Sequence, residues 1–143
     1  MARRRLLLVG GEPPVATSVR EYLVLGGRYE IEATEYCDDA LDQLVRNSFD
    51  LVLILSLNAV WRRESHRSSP LIHEGIRSAI VFLQRIRAIS NAPPVIVVSG
   101  SSLAAAEPEV LANGAFAFFH KLGKPDELDR IVALALERRV ADQ

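Results

Sequence analysis

Short apolar runs recur along the chain with helical patterns between them, and this order limits the possible folds more than any other feature. Four runs are continuously apolar: "LLLV" (6–9), "LVLIL" (51–55), "VIVV" (95–98) and "FAFF" (116–119). A fifth run, "YEIEA" (29–33), alternates. Continuous apolarity predicts a strand covered on both faces, whereas alternation predicts one solvated face. We therefore expect the fifth run at a sheet edge and the other four in inner or well-covered positions.

Apolar residues at helical spacing fill the segments between these runs. The predicted stripes are Val15, Val19, Tyr22 and Leu23; Ile76, Ile80, Leu83 and Ile86; and Leu128, Ile131, Val132 and Ala135. Gly26-Gly27 ends the first helix, and Pro125 suits the first turn of the last one. The element order is (βα)5. Because crossovers between parallel strands are right-handed, this order predicts an α/β fold with a three-layer, doubly wound parallel sheet. Any ligand is expected at the carboxyl ends of the strands.

The composition predicts one domain over residues 1–143 and excludes several kinds of partner. The 143 residues are 49% hydrophobic and 24% charged, which suits one globular core. A net charge of −1 gives no long-range field, so we expect neither nucleic acid nor membrane as a partner. Cys37 is the single cysteine, and its neighbours Asp38 and Asp39 disfavour a reactive thiolate. No apolar run approaches the roughly 18 residues of a membrane span, and we expect a cytoplasmic protein.

Several longer segments resemble the receiver domain of bacterial two-component response regulators. "LLLVGGEPPVATSVREYLVLGG" resembles the opening strand and first helix, and "FDLVLIL" resembles the third strand. "PPVIVVSG" resembles the fourth strand with its terminal Ser/Thr, and "NGAFAFFHK" resembles the fifth strand with its Lys. The resemblance covers about residues 4–139. It implies the flavodoxin-like fold of the chemotaxis regulators, with strand order 2-1-3-4-5.

The resemblance also implies a phosphorylation site, and this sequence departs from it. The family has an Asp after the third strand that accepts a phosphoryl group, and two acidic residues after the first strand that hold Mg²⁺. Gly10 and Gly11, followed by Glu12, occupy the acidic positions, and Leu55, or Ser56 one register later, occupies the acceptor position. No Asp occurs between positions 51 and 125. We therefore expect a degenerate pseudo-receiver with no metal and no cofactor.

Other family positions are retained, and each has a second interpretation. Ser99 and Lys121 match the hydroxyl and ammonium that contact the phosphoryl group, so they could hold an anion; alternatively, Ser99 caps a loop and Lys121 extends to water. Phe118 matches the switch aromatic but suits a core position equally well. The glycine pair marks a dismantled metal site, a plain turn or a phosphate cradle.

An insertion of about residues 57–72 follows the third strand. It contains the single tryptophan, and its candidate interaction residues are Trp61, Arg62, Arg63 and Arg67. Trp and Arg are common anchors of interfaces, which favours an interaction loop. The alternative is a solvated loop whose Trp covers the former pocket.

These features predict a non-enzymatic, receiver-like protein in phosphorelay signal transduction that acts by phosphorylation-independent protein–protein contact. The expected partner is a sensor kinase or another regulator. A homodimer is also expected through the fourth helix, fifth strand and fifth helix, with a self-complementary set of charges: Glu107, Glu109, Asp126, Asp129, Arg130, Arg138 and Arg139. The alternative function is a small anion- or ligand-sensing domain that uses the remnant pocket. A third is a phosphotransfer domain with a nonstandard acceptor.

Overall fold

A parallel sheet of five strands organises the structure. The computed structural model describes residues 4–10, 17–21, 23, 29–55, 76–99, 107–120 and 125–141. The strands are β1 (Arg4–Val9), β2 (Tyr29–Thr34), β3 (Leu51–Ile54), β4 (Val95–Ser99) and β5 (Ala117–His120). Residues 17–21 and 23 are helical and form α1. The other helices are α2 (Cys37–Arg46), α3 (Ile76–Arg87), α4 (Glu107–Ala112) and α5 (Pro125–Ala141).

The strands lie in the order β2-β1-β3-β4-β5, and every neighbouring pair is parallel. This confirms the predicted doubly wound α/β fold. The alternating run forms the edge strand β2, as predicted, and its Glu30 and Glu32 are exposed. The apolar run at 116–119 forms the opposite edge strand β5. Its continuous apolarity reflects helices that cover it rather than an inner position in the sheet.

Two apolar clusters lie on opposite faces of the sheet. Leu7 and Val9 of β1 join the cluster of α2, α3 and α4, whereas Leu6 and Leu8 join that of α1 and α5. Successive strand residues point to opposite faces, so each inner strand contributes to both clusters. The buried helical residues that close them include Val19, Leu23, Ala40, Leu44, Ala79, Phe82, Leu83, Ile86, Val110, Leu128, Val132 and Ala135.

The described side chains of the predicted stripes lie in these clusters, except Ile80, which is buried outside both. Val15 and Tyr22 lie outside the described residues. In α2, Asp38 and Asp39 occupy the first turn and Arg46 the last turn, an arrangement that complements the helix dipole. Within the described segments, no helix has the length and apolarity needed to cross a membrane.

Arg5 fastens the amino-terminal edge of the sheet. Its guanidinium lies 3.3 Å from Oε1 of Glu32 and 3.7 Å from Oε2 of Glu30, and it donates to the carbonyl oxygen of Ser48 at 3.4 Å. The same group lies over the ring of Phe49, 4.8 Å from its centroid. Arg5 therefore ties the edge strand β2 to the turn before β3.

Candidate functional site

Leu55 lies at the carboxyl end of β3, where the receiver resemblance places the phosphoacceptor. Its backbone N–H donates to the carbonyl oxygen of Val9 at 2.9 Å, which places it beside the end of β1. The side chain is only 4% exposed and belongs to the α1 and α5 cluster, together with Leu51 and Leu53. An apolar, buried side chain therefore occupies this position, and it offers no oxygen to a phosphoryl group.

Gly10 follows β1 at the same edge and has a left-handed backbone. Its φ is 75°, and its N–H donates to the carbonyl oxygen of Thr34 at 2.9 Å. A Cβ built on Gly10 would meet nothing within 4 Å, so space does not require glycine here. The backbone conformation does, because L side chains rarely adopt a positive φ. A metal-binding carboxylate at this position would require a different backbone or a strained one.

Two further family positions fall in described strands. Ser99 ends β4 and pairs with His120 of β5, so its backbone lies at the carboxyl edge of the sheet. Phe118 is buried in the cluster of α2, α3 and α4, together with Phe82 and Val110. Phe118 is therefore a core residue, as one of its two interpretations expected. Its role as a switch aromatic stays a prediction.

The remaining predicted site residues lie outside the described residues. They are Gly11, Glu12, Ser56, Trp61, Arg62, Arg63, Arg67 and Lys121. The inserted segment 57–72 also lies there, and so do the side chains of Asp126, Arg138 and Arg139 in the charged face. The structure thus brings together Gly10, Leu55 and the backbone of Ser99 at one edge.

Asp50, the Asp nearest to Leu55 along the chain, lies at the opposite end of β3, where the strand begins. Its Oδ2 accepts from the backbone N–H of Arg5 at 2.9 Å, and its Oδ1 lies 3.5 Å from the guanidinium of Arg4. These contacts fix it at the start of β3, away from Leu55. Among the residues that the structure describes, no three His, Cys, Asp or Glu side chains are grouped to hold a metal ion.

Cys37 is the candidate nucleophile that the sequence disfavoured, and the structure agrees. Its side chain is fully buried at the start of α2. Burial raises the pKa of the thiol well above its usual range, and the nearby carboxylate of Asp38 raises it further. The reactive thiolate is therefore strongly disfavoured.

A groove of about 550 Å³ lies far from this edge, between the loops that precede β3 and β4. Buried Leu44, Phe49 and Pro93 are among its lining residues, and exposed Arg46 and Asn91 contribute polar atoms. The loops that form it are at the amino ends of the strands, so the groove does not belong to the candidate site.

Solved receiver domains share this fold along almost the whole chain. A CheY-like response regulator receiver domain from Methanospirillum hungatei matches with a TM-score of 0.75 and 20% identity, over 99% of this chain and 100% of the other. The chain has the receiver-domain fold. A putative response regulator from Chloroflexus aurantiacus matches with a TM-score of 0.74 and 21% identity, over 95% and 99%.

A third match is a receiver domain whose solved structure contains a metal ion. The receiver domain of a sensor histidine kinase from Pseudomonas aeruginosa matches with a TM-score of 0.72 and 21% identity, over 95% of this chain and 99% of the other. That structure has a magnesium ion coordinated in its active-site cleft. No protein-family model and no curated protein matches the chain.

One feature of this receiver fold is absent from the sequence predictions: the corner Asn113–Gly114 between α4 and β5. Gly114 has a φ of 106°, and the side chain of Asn113 accepts a hydrogen bond from α3. The Asn-Gly dipeptide is a strong turn signal and could have identified the turn. Its contact with α3 joins residues 29 positions apart and has no local signature.

Proposed function

We propose that the chain is a pseudo-receiver of two-component signalling, a cytoplasmic and non-enzymatic domain that acts by protein–protein contact without phosphorylation. The observation that carries the proposal is the buried Leu55 at the carboxyl end of β3. In the receiver fold this is the position of the phosphoacceptor, as the sequence resemblance implies.

The chemistry at the other described positions supports the same conclusion. Phosphoryl transfer needs an oxygen nucleophile and a divalent cation that offsets the charge of the phosphoryl oxygens. Leu55 supplies no nucleophile, and Gly10 supplies no carboxylate to a cation. The left-handed backbone of Gly10 further disfavours a return to the metal-binding form. A domain of this kind retains the shape of a receiver, and the partner is a sensor kinase or another regulator that recognises this shape.

The proposed contact surface is the α4–β5–α5 face, formed by α4, β5 and α5, and it is also the proposed homodimer interface. Glu109 of α4 and Arg130 of α5 are exposed and have opposite charges. Leu111 of α4 is 39% exposed and Leu134 of α5 is 51% exposed, so an apolar component accompanies the charges. Two copies related by a two-fold axis can place the acidic groups of one against the basic groups of the other.

The test of the proposed function is phosphate incorporation. The chain is incubated with acetyl phosphate and Mg²⁺ and its intact mass is measured, with an aspartate-containing receiver domain as the positive control. We expect no added phosphoryl group, and no change in the amide NMR spectrum with beryllofluoride and Mg²⁺. An acid-labile phosphoryl adduct at one residue would refute the proposal and favour a nonstandard acceptor.

A further inference from the structure

The backbone of the corner between α4 and β5 is hydrogen-bonded to the last turn of α4. The N–H of Gly114 donates to the carbonyl oxygen of Leu111 at 3.1 Å, and the N–H of Ala115 donates to that of Val110 at 3.3 Å. These bonds satisfy carbonyl groups that a helix leaves unpaired at its carboxyl end. The corner and the last turn of α4 therefore form one connected unit.

Asn113 links this unit to α3 through its side-chain amide. Its Nδ2 donates to the carbonyl oxygen of Glu109 at 2.8 Å, and its Oδ1 accepts from Nε2 of Gln84 at 3.0 Å. One amide thus bridges the carboxyl end of α4 and the exposed face of α3. A shift of α4 relative to α3 would break one of these two bonds.

Gly114 forms the second half of the link: it is partly open to solvent, and the side chain of Arg87 lies where a Cβ would project. A Cβ at Gly114 would lie 2.8 Å from Nε and 3.1 Å from Cζ of Arg87, and still closer to Cδ. The φ of 106° is a second reason for glycine at this position. We call Gln84, Arg87, Asn113 and Gly114 the α3–α4 clasp.

Among the described residues, α4 contacts β5 and contributes one buried side chain to the core. The helix spans Glu107–Ala112, and Val110 is its buried residue, packed in the cluster that contains Phe82 and Ile86. A helix this short is not stable by itself, because few of its backbone bonds are closed within the helix. Within the part of the chain that the structure describes, its position relative to the sheet therefore depends on the burial of Val110, on the contacts of α4 with β5 and on the α3–α4 clasp.

We propose that the α3–α4 clasp fixes the position of α4 and thereby sets the shape of the α4–β5–α5 face. The part that concerns the face rests on the proposed function; the part that concerns α4 does not. Glu109 and Leu111 are carried on the helix that the clasp holds, so loosening the clasp changes how both residues are presented to a partner. The clasp ties α4 to α3 at its carboxyl end, whereas Gly10 follows β1 and Leu55 follows β3.

Hydrogen exchange of α4 tests the inference in the absence of any partner. Three variants of the full chain are compared with the parent: Gln84→Ala, which removes the donor to Asn113; Gly114→Ala, which strains the left-handed backbone of the corner and displaces the Arg87 side chain; and Gln43→Ala on α2 as the matched control. Exchange is measured by mass spectrometry at a concentration below that of dimerisation. We expect residues 107–115 to exchange roughly threefold to tenfold faster in Gln84→Ala, the range for one lost hydrogen bond, and also faster in Gly114→Ala because of backbone strain. The control should match the parent.

The outcomes separate the clasp from the proposed function. Faster exchange confined to residues 107–115, with a weaker dimer by sedimentation, supports the inference in full. Unchanged exchange in Gln84→Ala, a surface substitution that leaves the fold intact, overturns the clasp even if Gly114→Ala unfolds. A parent that takes up phosphate, or that sediments only as a monomer, refutes the proposed function or its dimer. The exchange result alone then decides whether the clasp holds α4.

Discussion

Replacement of Leu55 by Asp introduces the side chain that the resemblance to receivers assigns to the phosphoacceptor, and we expect it to destabilise the protein without enabling phosphorylation. The parent side chain is 4% exposed and packs in the cluster with Leu51 and Leu53. Loss of a buried Leu side chain lowers the free energy of unfolding by about 2–5 kcal/mol. Domains of this size are stable by about 5–15 kcal/mol, so the variant should fold with a clearly reduced stability.

The charge adds a second, pH-dependent contribution. Burial raises the pKa of the introduced carboxyl above its unfolded value of about 3.9. The folded state therefore binds more protons than the unfolded state between these two pKa values, and the free energy of unfolding falls as pH rises through this window. Each unit of raised pKa corresponds to about 1.4 kcal/mol at a pH above both values. This contribution vanishes only well below the unfolded pKa, at about pH 3 and lower, because the carboxyl is then neutral in both states.

Leu55→Asn is the matched control, since it has the same shape as the Asp variant and carries no charge. Urea unfolding of the parent and both variants at pH 5 and pH 7 measures the two contributions separately. We expect both variants to be destabilised at pH 5, and the Asp variant to lose further stability at pH 7. An Asp variant as stable as the parent, or one whose pH dependence equals that of the Asn variant, would contradict the burial of this position. Intact mass after acetyl phosphate treatment should show no adduct, because Gly10 supplies no metal ligand.

Three other predictions concern separate parts of the molecule. Arg5→Ala should lower the free energy of unfolding by about 1–2 kcal/mol, because it removes two ion pairs and the contact with Phe49. Arg4→Ala removes one exposed pair with Asp50 and should lower the free energy of unfolding by less than about 0.5 kcal/mol. Equal urea midpoints for the two variants would be inconsistent with the Arg5 contacts. Cys37 should resist iodoacetamide in the native protein and react once urea unfolds it. Because its folded pKa is raised, the free energy of unfolding should fall above about pH 8.5 in the parent but not in Cys37→Ala. Rapid labelling of the native chain at pH 7 would rule out the buried thiol. Leu134→Glu should weaken the proposed homodimer in sedimentation experiments. Val45→Glu on α2, where the native side chain is 73% exposed, should leave the dimer unchanged. The reverse result would place the interface on α2.

The strands and the fold were predictable because their signals are local. Leu51 to Leu55 are continuously apolar, and in a parallel sheet this pattern requires cover on both faces. β5 was harder to place, since an edge strand covered by helices has the same apolar sequence as an inner one. Its position followed from the resemblance to receivers rather than from the pattern of "FAFF".

The contacts that hold the corners were not predictable, because they join distant positions. Arg5 meets Glu32 only after β1 has paired with β2, and Ser48 only after β1 has paired with β3; its sequence context shows no more than a basic run before a strand. The left-handed backbone of Gly10 was hidden for another reason. A Gly-Gly pair is compatible with a plain turn, a phosphate cradle and a lost metal site, and the sequence pattern does not give the backbone conformation that the structure shows at Gly10.

The central place of β1 constrains how the chain acquires its structure. β1 hydrogen-bonds to both β2 and β3, so this strand, which is synthesised before both partners, cannot complete its pairing until residues 51–54 have been made. β2 in turn has β1 as its neighbour in the sheet, and without β1 it would have no strand to join. Parallel pairings of this kind form slowly, because the entropy of closing a long loop is lost before the contacts between the strands can stabilise the pair. A nascent chain therefore presents an unpaired apolar strand during translation, and the basic residues Arg4 and Arg5 at its start oppose aggregation at that stage.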